Sequence, residues 1–593
     1  MFFFNIQFHQ CLTELKVNYS LLQARAKNLF KFTMTDLLSH LTFLYGTNKA
    51  LQVRDRAQKI IAGSRARVHA GKGKLTEQDS ILITYGDQVQ MPDNKHLQTL
   101  SRFCEQYLSG VVSGIHILPF YPWSSDDGFS VVDYRKVDPH LGDWNDISAM
   151  QDHFRLMFDG VINHISAQSK WFKAFLRADT HYRDYFITLE GSPDLSQVVR
   201  PRTLPLLTSF STSSGKKRVW TTFSDDQIDL NYQNPEVLLE ILDILLTYVE
   251  RGATFIRLDA IAYLWKEIGT ACIHLPQTHR VIQFLRAALN EVAPHVYLIT
   301  ETNVPHADNL SYLGDGTNEA QLVYNFALPP LTLHTFRTGD ACTLSNWAKT
   351  LTLPSERVTF FNFLASHDGI GLIPALGILS STEIDALVEK TLEHGGLVSY
   401  KVDPDGSQSP YEMNINYFDA LSNPQGDEPL ELQIDRFIAA QAIMLSLVGM
   451  PGIYFHSLFG SRGWLDGVEQ TGRSRTINRQ KCDLHSLQNE LANSKSLRAR
   501  VFARYRQLLS VRSSSHAFHP YGKQRVLDLH SSVFALERFS PNGKSRALCL
   551  HNVSTKKISL NLPIESATSL FTGQALQISQ LSLAPYQVLW VKL

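Results

Sequence analysis

The chain has 593 residues, in which 56 lysine and arginine side chains balance 56 aspartate and glutamate side chains. Nucleic acids and anionic lipid surfaces are bound by an excess of basic residues, so this balance argues against either partner. A charged fraction of 19% beside an apolar fraction of 44% excludes a disordered chain.

The beginning of the chain predicts no membrane segment. MFFFNIQFHQ lacks a basic region, and polar residues interrupt its apolar stretch. An ordinary domain start follows at Met34, with Thr35 and Asp36 before leucines at helical spacing. We interpret residues 1–33 as an extension that is non-native or disordered, and residues 34–78 as a helical segment. Six dispersed cysteines without a CxxC pair predict buried thiols and a cytoplasmic location.

Short apolar runs that end in polar residues recur along the chain, and helix-like stretches follow most of them. In order they are ILITYGD (81–87), VVSGIHILPF (111–120), LMFDGVINH (156–164), ATFIRLDA (253–260), VYLITET (296–302), AQLVYNFAL (320–328), RVTFFNFLASHD (357–368) and PGIYFHSLFG (451–460). Runs that are apolar on both faces are typical of buried parallel strands. Eight of them with helical spacers predict an α/β fold, the (β/α)8 TIM barrel, over residues 79–164 and 236–514.

Two further regions are predicted around this barrel. About 90 residues separate the third run from the fourth, whereas one βαβ step needs about 30. Residues 165–235 are therefore interpreted as a small, loop-rich inserted domain that covers the barrel mouth. Alternating apolar residues with turns after the barrel predict a C-terminal antiparallel β domain over residues 515–593.

Three of the runs close with carboxylates, namely Asp259, Glu301 and Asp368. Active sites of such barrels lie at the carboxyl ends of the strands, so these side chains are candidates for catalysis. Arg257 and Asp259 share one face of a strand, and we expect the guanidinium to lower the pKa of the carboxyl group. Two carboxylates that flank one bond are typical of glycoside chemistry. Taken singly, such residues more often form a surface ion pair, cap a helix or stabilise a turn.

The motifs GVINH (160–164), FIRLDA (255–260), ITETN (299–303) and FLASHD (363–368) resemble the four motif regions of the α-amylase family of retaining glycosidases and transglycosylases. HILPFYPWSSDDGFSVVDY, RPRTLPLLT, FALPPLTLHTF, ASHDGIG and RTINR are closer to its sucrose phosphorylase branch. The resemblance implies Asp259 as nucleophile, Glu301 as general acid/base and Asp368 as stabiliser of the transition state. It also implies that the following residues bind the glucosyl unit: Asp126, Phe129, His164, Arg257, His367 and Arg479.

The resemblance implies neither a cofactor nor a metal. Asn163 matches a position that binds calcium in amylases, but the phosphorylase branch lacks the ion. We therefore expect a structural hydrogen bond at Asn163.

The acceptor side of the predicted site must hold an anion. Arg200 and Arg202 in the insert are candidates, since a guanidinium suits phosphate and carboxylate alike, and the resemblance favours Arg202. Tyr411 and Glu412 stand where sucrose phosphorylases typically carry a Tyr-Gln pair, so contacts to fructose are not assumed.

ITETNVPHADNLSYLGDG, WTTFSDDQIDLNY and KEIGTACIHLPQTH are most similar to the branch members that act on glucosylglycerate. The implied reaction converts 2-O-α-D-glucosyl-D-glycerate and inorganic phosphate into α-D-glucose 1-phosphate and D-glycerate. Sucrose 6-phosphate, sucrose and glucosylglycerol are alternative donors. An amylase-type hydrolase and a non-catalytic binding subunit are alternatives from other functional classes. A homodimer is the assembly that we consider for this chain.

Overall fold

A computed structural model describes residues 36–68, 71, 73–403 and 405–593, so the predicted extension over residues 1–33 lies outside the described residues. Eight parallel strands form a closed barrel, which confirms the predicted fold class. We number the barrel strands in chain order: β1 is Ile81–Thr84, β2 Gly114–Ile117, β3 Arg155–Gly160, β4 Ala253–Leu258, β5 Tyr297–Thr300, β6 Leu322–Tyr324, β7 Thr359–Asn362 and β8 Met450–Tyr454.

The barrel strands are buried on both faces, as their continuous apolar runs predict. Each strand pairs with its neighbour in sequence, and β8 closes the barrel on β1. The register places Arg257 of β4 beside Asp159 of β3 and beside Ile299 of β5. A cation therefore lies inside the barrel close to the ends of the strands that precede Asp259 and Glu301.

Helices surround the barrel and precede it. Beyond residues 36–45, they are Thr47–Arg65, His96–Leu108, Trp144–Met150, Lys170–Leu176, Pro235–Glu250, Pro276–Val292, His306–Leu310, Leu328–Thr338, Cys342–Lys349, Ser381–Glu393, Tyr417–Leu421, Leu430–Ser446, Phe455–Leu458, Leu465–Thr471, Leu484–Ala492 and Leu497–Ser513. The helix Pro235–Glu250 shows why these segments are helical. The Asn234 side chain accepts a hydrogen bond from the Glu236 N–H, proline occupies the first turn, and Gly252 with φ 92° follows the end.

The segment between β3 and β4 contains small antiparallel sheets above the barrel. Its strands are His164–Ser166 with Gln227–Asp229, and Thr188–Leu189 with Gly215–Trp220 and Leu207–Thr212. These elements fall within the range assigned to the inserted domain or at its edge, and the status of that range as a separate domain stays a prediction.

A second segment, between β7 and β8, was not predicted. Its hairpin Leu397–Val402 with Gln408–Asn414 pairs with Ile370–Gly371 and brings Tyr411 and Glu412 to the barrel mouth. The first strand is only partly buried and the second contains Pro410, so neither reads as a strand in the sequence.

An antiparallel domain ends the chain, as predicted. Its main sheet contains Lys523–His530, Val533–Phe539, Arg546–Asn552, Val588–Lys592, Ser566–Ser569 and Ala575–Gln577, and the pair Ile558–Asn561 with Gln580–Leu583 lies beside it. A short parallel pair, Val89–Gln90 with Cys482–Asp483, completes the strands of the described residues. In the described ranges, the helices are too short or too polar to cross a bilayer.

Candidate active site

Asp259 and Glu301 follow directly on β4 and β5, and Asp368 lies in the loop after β7. All three line one cavity at the mouth of the barrel. Ala260 has φ 48°, a left-handed conformation that is rare for a residue with a side chain. In that conformation its N–H donates to Glu301 Oε2 at 3.0 Å, so the turn after the first carboxylate positions the second.

Arg257 lies beneath these carboxylates and is buried. Its Nη1 donates to Asp259 Oδ1 at 2.7 Å and also to Asp159 Oδ1, while Nη2 lies 3.7 Å from Glu301 Oε2. His116 Nε2 lies 2.6 Å from the second oxygen of Asp159. One guanidinium thus contacts two of the three candidate catalytic carboxylates, and Asp159 holds that guanidinium in place.

Arg257 lowers the pKa of Asp259, as expected, but the net shift of this pKa is upward. Burial raises the pKa of Asp259 to about 6, and the charges of Asp159 and Asp368 add to this rise, so Arg257 offsets only a part. Burial likewise raises the pKa of Glu301 to about 7, with Asp259 and Asp368 contributing, as expected for a general acid. Between about pH 6 and 7, therefore, Asp259 is chiefly ionised and Glu301 is chiefly protonated.

Asp368 has the opposite electrostatic setting. Its Oδ1 lies 2.5 Å from Arg475 Nη1 and 3.5 Å from Arg479 Nη2, and its Oδ2 lies 3.4 Å from His367 Nε2. Burial alone would raise its pKa, but the positive charges of Arg475 and Arg479 hold it well below the ordinary value. Burial also lowers the pKa of His367 well below its usual range, so this imidazole is neutral. Asp368 consequently stays ionised while Glu301 is protonated.

The predicted glucosyl-binding residues surround the three carboxylates. The rings of Phe129 and His367 stack with centroids 4.8 Å apart and an angle of 3° between their planes. His164 Nε2 lies 2.8 Å from the Phe129 carbonyl oxygen and donates to it. Arg479 donates through Nε to the His367 carbonyl oxygen at 2.9 Å and also contacts Asp127. Phe129, His164 and His367 thus line the cavity together, and Arg479, which does not line it, contacts the backbone of His367.

The loop that carries Asp126 has an unusual backbone. Asp126, Asp127 and Gly128 have φ values of 54°, 49° and 112°. A Cβ atom at Gly128 would lie 2.6 Å from the Pro119 carbonyl oxygen, so only glycine fits there. Gln227 Nε2 donates to Asp126 Oδ2 at 3.3 Å and to the Phe129 carbonyl oxygen at 3.2 Å. The segment after β3 thus holds this strained loop in place.

On the acceptor side, the structure separates the two candidate arginines. Arg202 lines the catalytic cavity, and its guanidinium carbon lies 5.7 Å from the centre of the Tyr411 ring. Arg200 does not line that cavity. It lies on the wall of an adjoining one, where Nη2 donates to the Leu204 carbonyl oxygen at 2.6 Å. Arg200 therefore lines a different space from Arg202, and its predicted contact with the acceptor stays a prediction.

Glu412 lines the catalytic cavity, but its carboxylate is paired with an arginine. Arg475 donates to its two oxygens at 2.9 and 2.6 Å, and the same guanidinium contacts Asp368. Arg475 thus offsets part of the repulsion between Glu412 and an anionic acceptor, since the same cation also contacts Asp368.

The sequence analysis missed several residues of the site. Arg475 occurs in the RTINR run, four residues before Arg479, and that run contains two arginines as a signal. Asp159 is a charged residue that follows three apolar residues in its strand, which is also a readable signal. Four further lining residues carry no such signal: Phe223, Gln227, Tyr263 and Asn303.

Beside the cavity, a buried lysine contacts the asparagine that matches the calcium position of amylases. Lys266 Nζ donates to Asn163 Oδ1 at 2.9 Å and lies 2.5 Å from Asp229 Oδ2. Asp229 also accepts from the N–H and the hydroxyl of Thr222, both at 2.7 Å. An ammonium group thus supplies the positive charge at this point, and the predicted hydrogen bond at Asn163 is present. In the described parts of the chain, no three potential ligands cluster around a metal position.

Replacing Lys266 with methionine is expected to destabilise the protein by about 3–5 kcal/mol, because Asp229 is then buried without its cation. Urea unfolding of both proteins measures the difference. The double variant with Asp229→Asn should recover part of the loss, since the uncompensated charge is removed. A chelator should leave the Tm of the unsubstituted protein unchanged, and a fall in Tm would contradict the role given to the lysine.

Comparison with known proteins agrees with this geometry. Residues 106–382 match the family described as "Alpha amylase, catalytic domain". The chain is 52% identical over 555 residues to glucosylglycerate phosphorylase of Allomeiothermus silvanus, covering 94% of this chain and 98% of the relative. It is 51% identical to glucosylglycerate phosphorylase of Spirochaeta thermophila, covering 88% and 89%. The crystal structure of sucrose 6F-phosphate phosphorylase from Thermoanaerobacter thermosaccharolyticum superposes with a TM-score of 0.71 at 26% identity, covering 85% of this chain and 99% of that one.

Proposed function

The chain belongs to the glucosylglycerate phosphorylases of the α-amylase family, and from this premise we propose that Asp259, Glu301 and Asp368 perform the reaction by double displacement. The reaction takes 2-O-α-D-glucosyl-D-glycerate and phosphate to α-D-glucose 1-phosphate and D-glycerate. The observation that carries the residue assignment is the contact of one buried guanidinium, Arg257, with both Asp259 and Glu301.

In the first step, Asp259 attacks the anomeric carbon while Glu301 donates its proton to the departing 2-oxygen of glycerate. Arg257 binds Oδ1 of Asp259, which leaves Oδ2 as the attacking oxygen. The ionised Asp368 stabilises the positive charge that develops on the glucosyl ring. The products of this step are D-glycerate and a β-glucosyl ester of Asp259.

In the second step, phosphate attacks the anomeric carbon from the other side and the bond to Asp259 breaks. Glu301, now ionised, accepts the proton of the attacking phosphate oxygen. Two inversions give net retention, and hence α-glucose 1-phosphate. We assign Arg202 to binding of the anion in both half-reactions. Arg202 lines the acceptor side of the cavity, and among the described residues no carboxylate lies within salt-bridge distance of it.

The test uses the reverse direction. The protein is incubated with α-glucose 1-phosphate and, separately, with D-glycerate, glycerol, fructose or fructose 6-phosphate, and phosphate release is measured. Release with D-glycerate alone supports the proposal. A preference for another acceptor would mean that this acceptor, and not D-glycerate, is the substrate. The amylase-type alternative is tested with the glucosylglycerate donor: formation of free glucose at a rate independent of added phosphate would overturn phosphorolysis.

We predict a bell-shaped dependence of kcat/KM on pH for the glucosylglycerate donor. The first step needs Asp259 ionised and Glu301 protonated, and their pKa values are about 6 and about 7. Activity should therefore be highest near pH 6–7, fall on the acid side as Asp259 gains a proton, and fall on the alkaline side as Glu301 loses one. Initial rates at subsaturating donor give the profile. A single limb without a maximum would contradict these assignments.

Replacing Arg202 with alanine should raise the KM for phosphate about ten- to a hundredfold, because a charge-assisted hydrogen bond contributes about 1.5–3 kcal/mol. The matched comparison is Arg200→Ala, which removes the same charge two residues away but outside the catalytic cavity. We expect this variant to change the KM for phosphate by less than about twofold. Equal effects of the two substitutions would show a general electrostatic contribution instead of a contact.

We also propose a cytoplasmic location and a homodimer. Cys104, Cys272, Cys482 and Cys549 are buried free thiols, which supports a reducing compartment, whereas Cys342 is exposed and departs from the expected burial. Fractionation of the source cells tests the location, and light scattering of the purified protein tests the dimer.

A further inference from the structure

A second cavity of about 460 Å³ adjoins the catalytic one. The two cavities share the side chains of Tyr263, Asn303, Val304 and Tyr411. Residues 195–201 of the segment after β3 and the hairpin residues 401–403 and 406 form a further part of its wall. The cavity therefore lies next to the acceptor side of the site, and no step of the proposed mechanism uses it.

The wall of this second cavity is chiefly aliphatic. It includes Leu195, Val198, Ile273, Val304, Ile373 and Val402. The charged groups on it are engaged or lie at the rim: Lys401 pairs with Asp403, Arg200 donates to a carbonyl oxygen, and Asp308 is exposed. A cavity of about 150 Å³ lined by such residues is sufficient to bind benzene. The second cavity therefore has room for an aromatic ring. Water inside it would form few hydrogen bonds with the aliphatic wall, so its replacement by a ring is favourable.

We propose that the enzyme also transfers glucose to 2-hydroxy carboxylates that bear an aromatic side chain, with the ring in the second cavity. The carboxylate then contacts Arg202, which lines the catalytic cavity next to the shared wall. The 2-hydroxyl lies at the position of the departing glycerate oxygen. The class is defined by a carboxylate, an adjacent hydroxyl and an apolar ring, as in D-3-phenyllactate. The inference rests on the proposed function, because it uses the same glucosyl-enzyme.

The step balances without any further reagent. The ester bond between the anomeric carbon and Asp259 breaks, and a bond from that carbon to the 2-oxygen of the acceptor forms. The hydroxyl proton passes to the ionised Glu301, and Asp259 is released as a carboxylate. With α-glucose 1-phosphate as donor, the overall products are phosphate and 2-O-α-glucosyl-3-phenyllactate.

The experiment compares three acceptors at a fixed concentration of α-glucose 1-phosphate: D-glycerate, D-lactate and D-3-phenyllactate. Phenyllactate differs from lactate only by the ring, so their ratio of kcat/KM measures what the ring contributes. We expect phenyllactate to exceed lactate at least tenfold, with the product identified by mass. A ratio near one, with D-glycerate active, overturns the inference and leaves the proposed function intact. Activity with phenyllactate but none with D-glycerate supports the cavity and overturns the proposed substrate, and inactivity with all three overturns both.

Two variants fill the second cavity without contacting the catalytic one. Val402→Trp and Ile373→Trp should each reduce the ratio of phenyllactate to lactate to about one, while kcat/KM for D-glycerate changes less than twofold. Tyr400→Trp is the matched control on the same strand, because Tyr400 does not line the cavity and is 42% exposed. It should keep the ratio of the unsubstituted protein. Persistence of the preference in both filled variants overturns the placement of the ring.

Discussion

Replacing Asp259 with asparagine is expected to lower kcat by about four orders of magnitude or more, since an amide cannot form the glucosyl ester. The substitution should leave the fold unchanged. The asparagine carbonyl oxygen can still accept the hydrogen bond from Arg257 Nη1, and Arg257 keeps its contact with Asp159. Phosphate release from α-glucose 1-phosphate with D-glycerate measures the activity, and the Tm reports the fold.

The matched control for this variant is Asp385→Asn, which makes the same chemical change at an exposed position of the helix Ser381–Glu393. Its activity should equal that of the unsubstituted protein. An unchanged Tm with activity lost only in Asp259→Asn supports a nucleophile. Retention of more than about one per cent of the activity in Asp259→Asn would mean that another group attacks the anomeric carbon.

The barrel and the positions of its three carboxylates could be predicted because both depend on local patterns. Strands buried on both faces leave continuous apolar runs, and the residues that end these runs must lie at one end of the barrel. Asp259 and Glu301 directly follow two neighbouring strands, so their positions at the strand ends were sufficient to predict that they lie close together.

The electrostatic setting of Asp259 could not be predicted because it depends on contacts that are distant in sequence. Arg257 is two residues away and suggested a lowered pKa, but Asp159 lies on another strand and Asp368 in a loop after β7. These two charges and burial together outweigh the guanidinium. The sign of a pKa shift in a buried site is a property of the whole cavity and not of the nearest pair.

The acceptor side was the least predictable part, because it is built from segments between strands. Tyr411 and Glu412 reach the cavity on a hairpin whose strands have no clear apolar alternation. Whether Arg200 or Arg202 faces the anion depends on the direction of the loop at each residue, which composition does not encode. Glu412 could be recognised as a departure from the Tyr-Gln pair, but only the structure shows that Arg475 binds it.

Replacing Glu301 with glutamine is expected to lower kcat/KM for the glucosylglycerate donor by about two to four orders of magnitude. Glutamine cannot protonate the glycerate oxygen, and the alcohol is a poor leaving group without that proton. The amide oxygen can still accept the hydrogen bond from the Ala260 N–H, so the turn after β4 should be preserved. The alkaline limb of the pH profile should also disappear, because the group that titrates at about 7 is gone.

α-Glucosyl fluoride separates protonation from positioning in this variant. Fluoride leaves without a full proton transfer, so the glucosyl-enzyme should form from this donor at a rate within about tenfold of that of the unsubstituted protein. Asp259→Asn should fail with both donors, because it lacks the attacking oxygen. A comparable loss with both donors in Glu301→Gln would show that Glu301 holds the substrate or Arg257 in place and that another group is the acid.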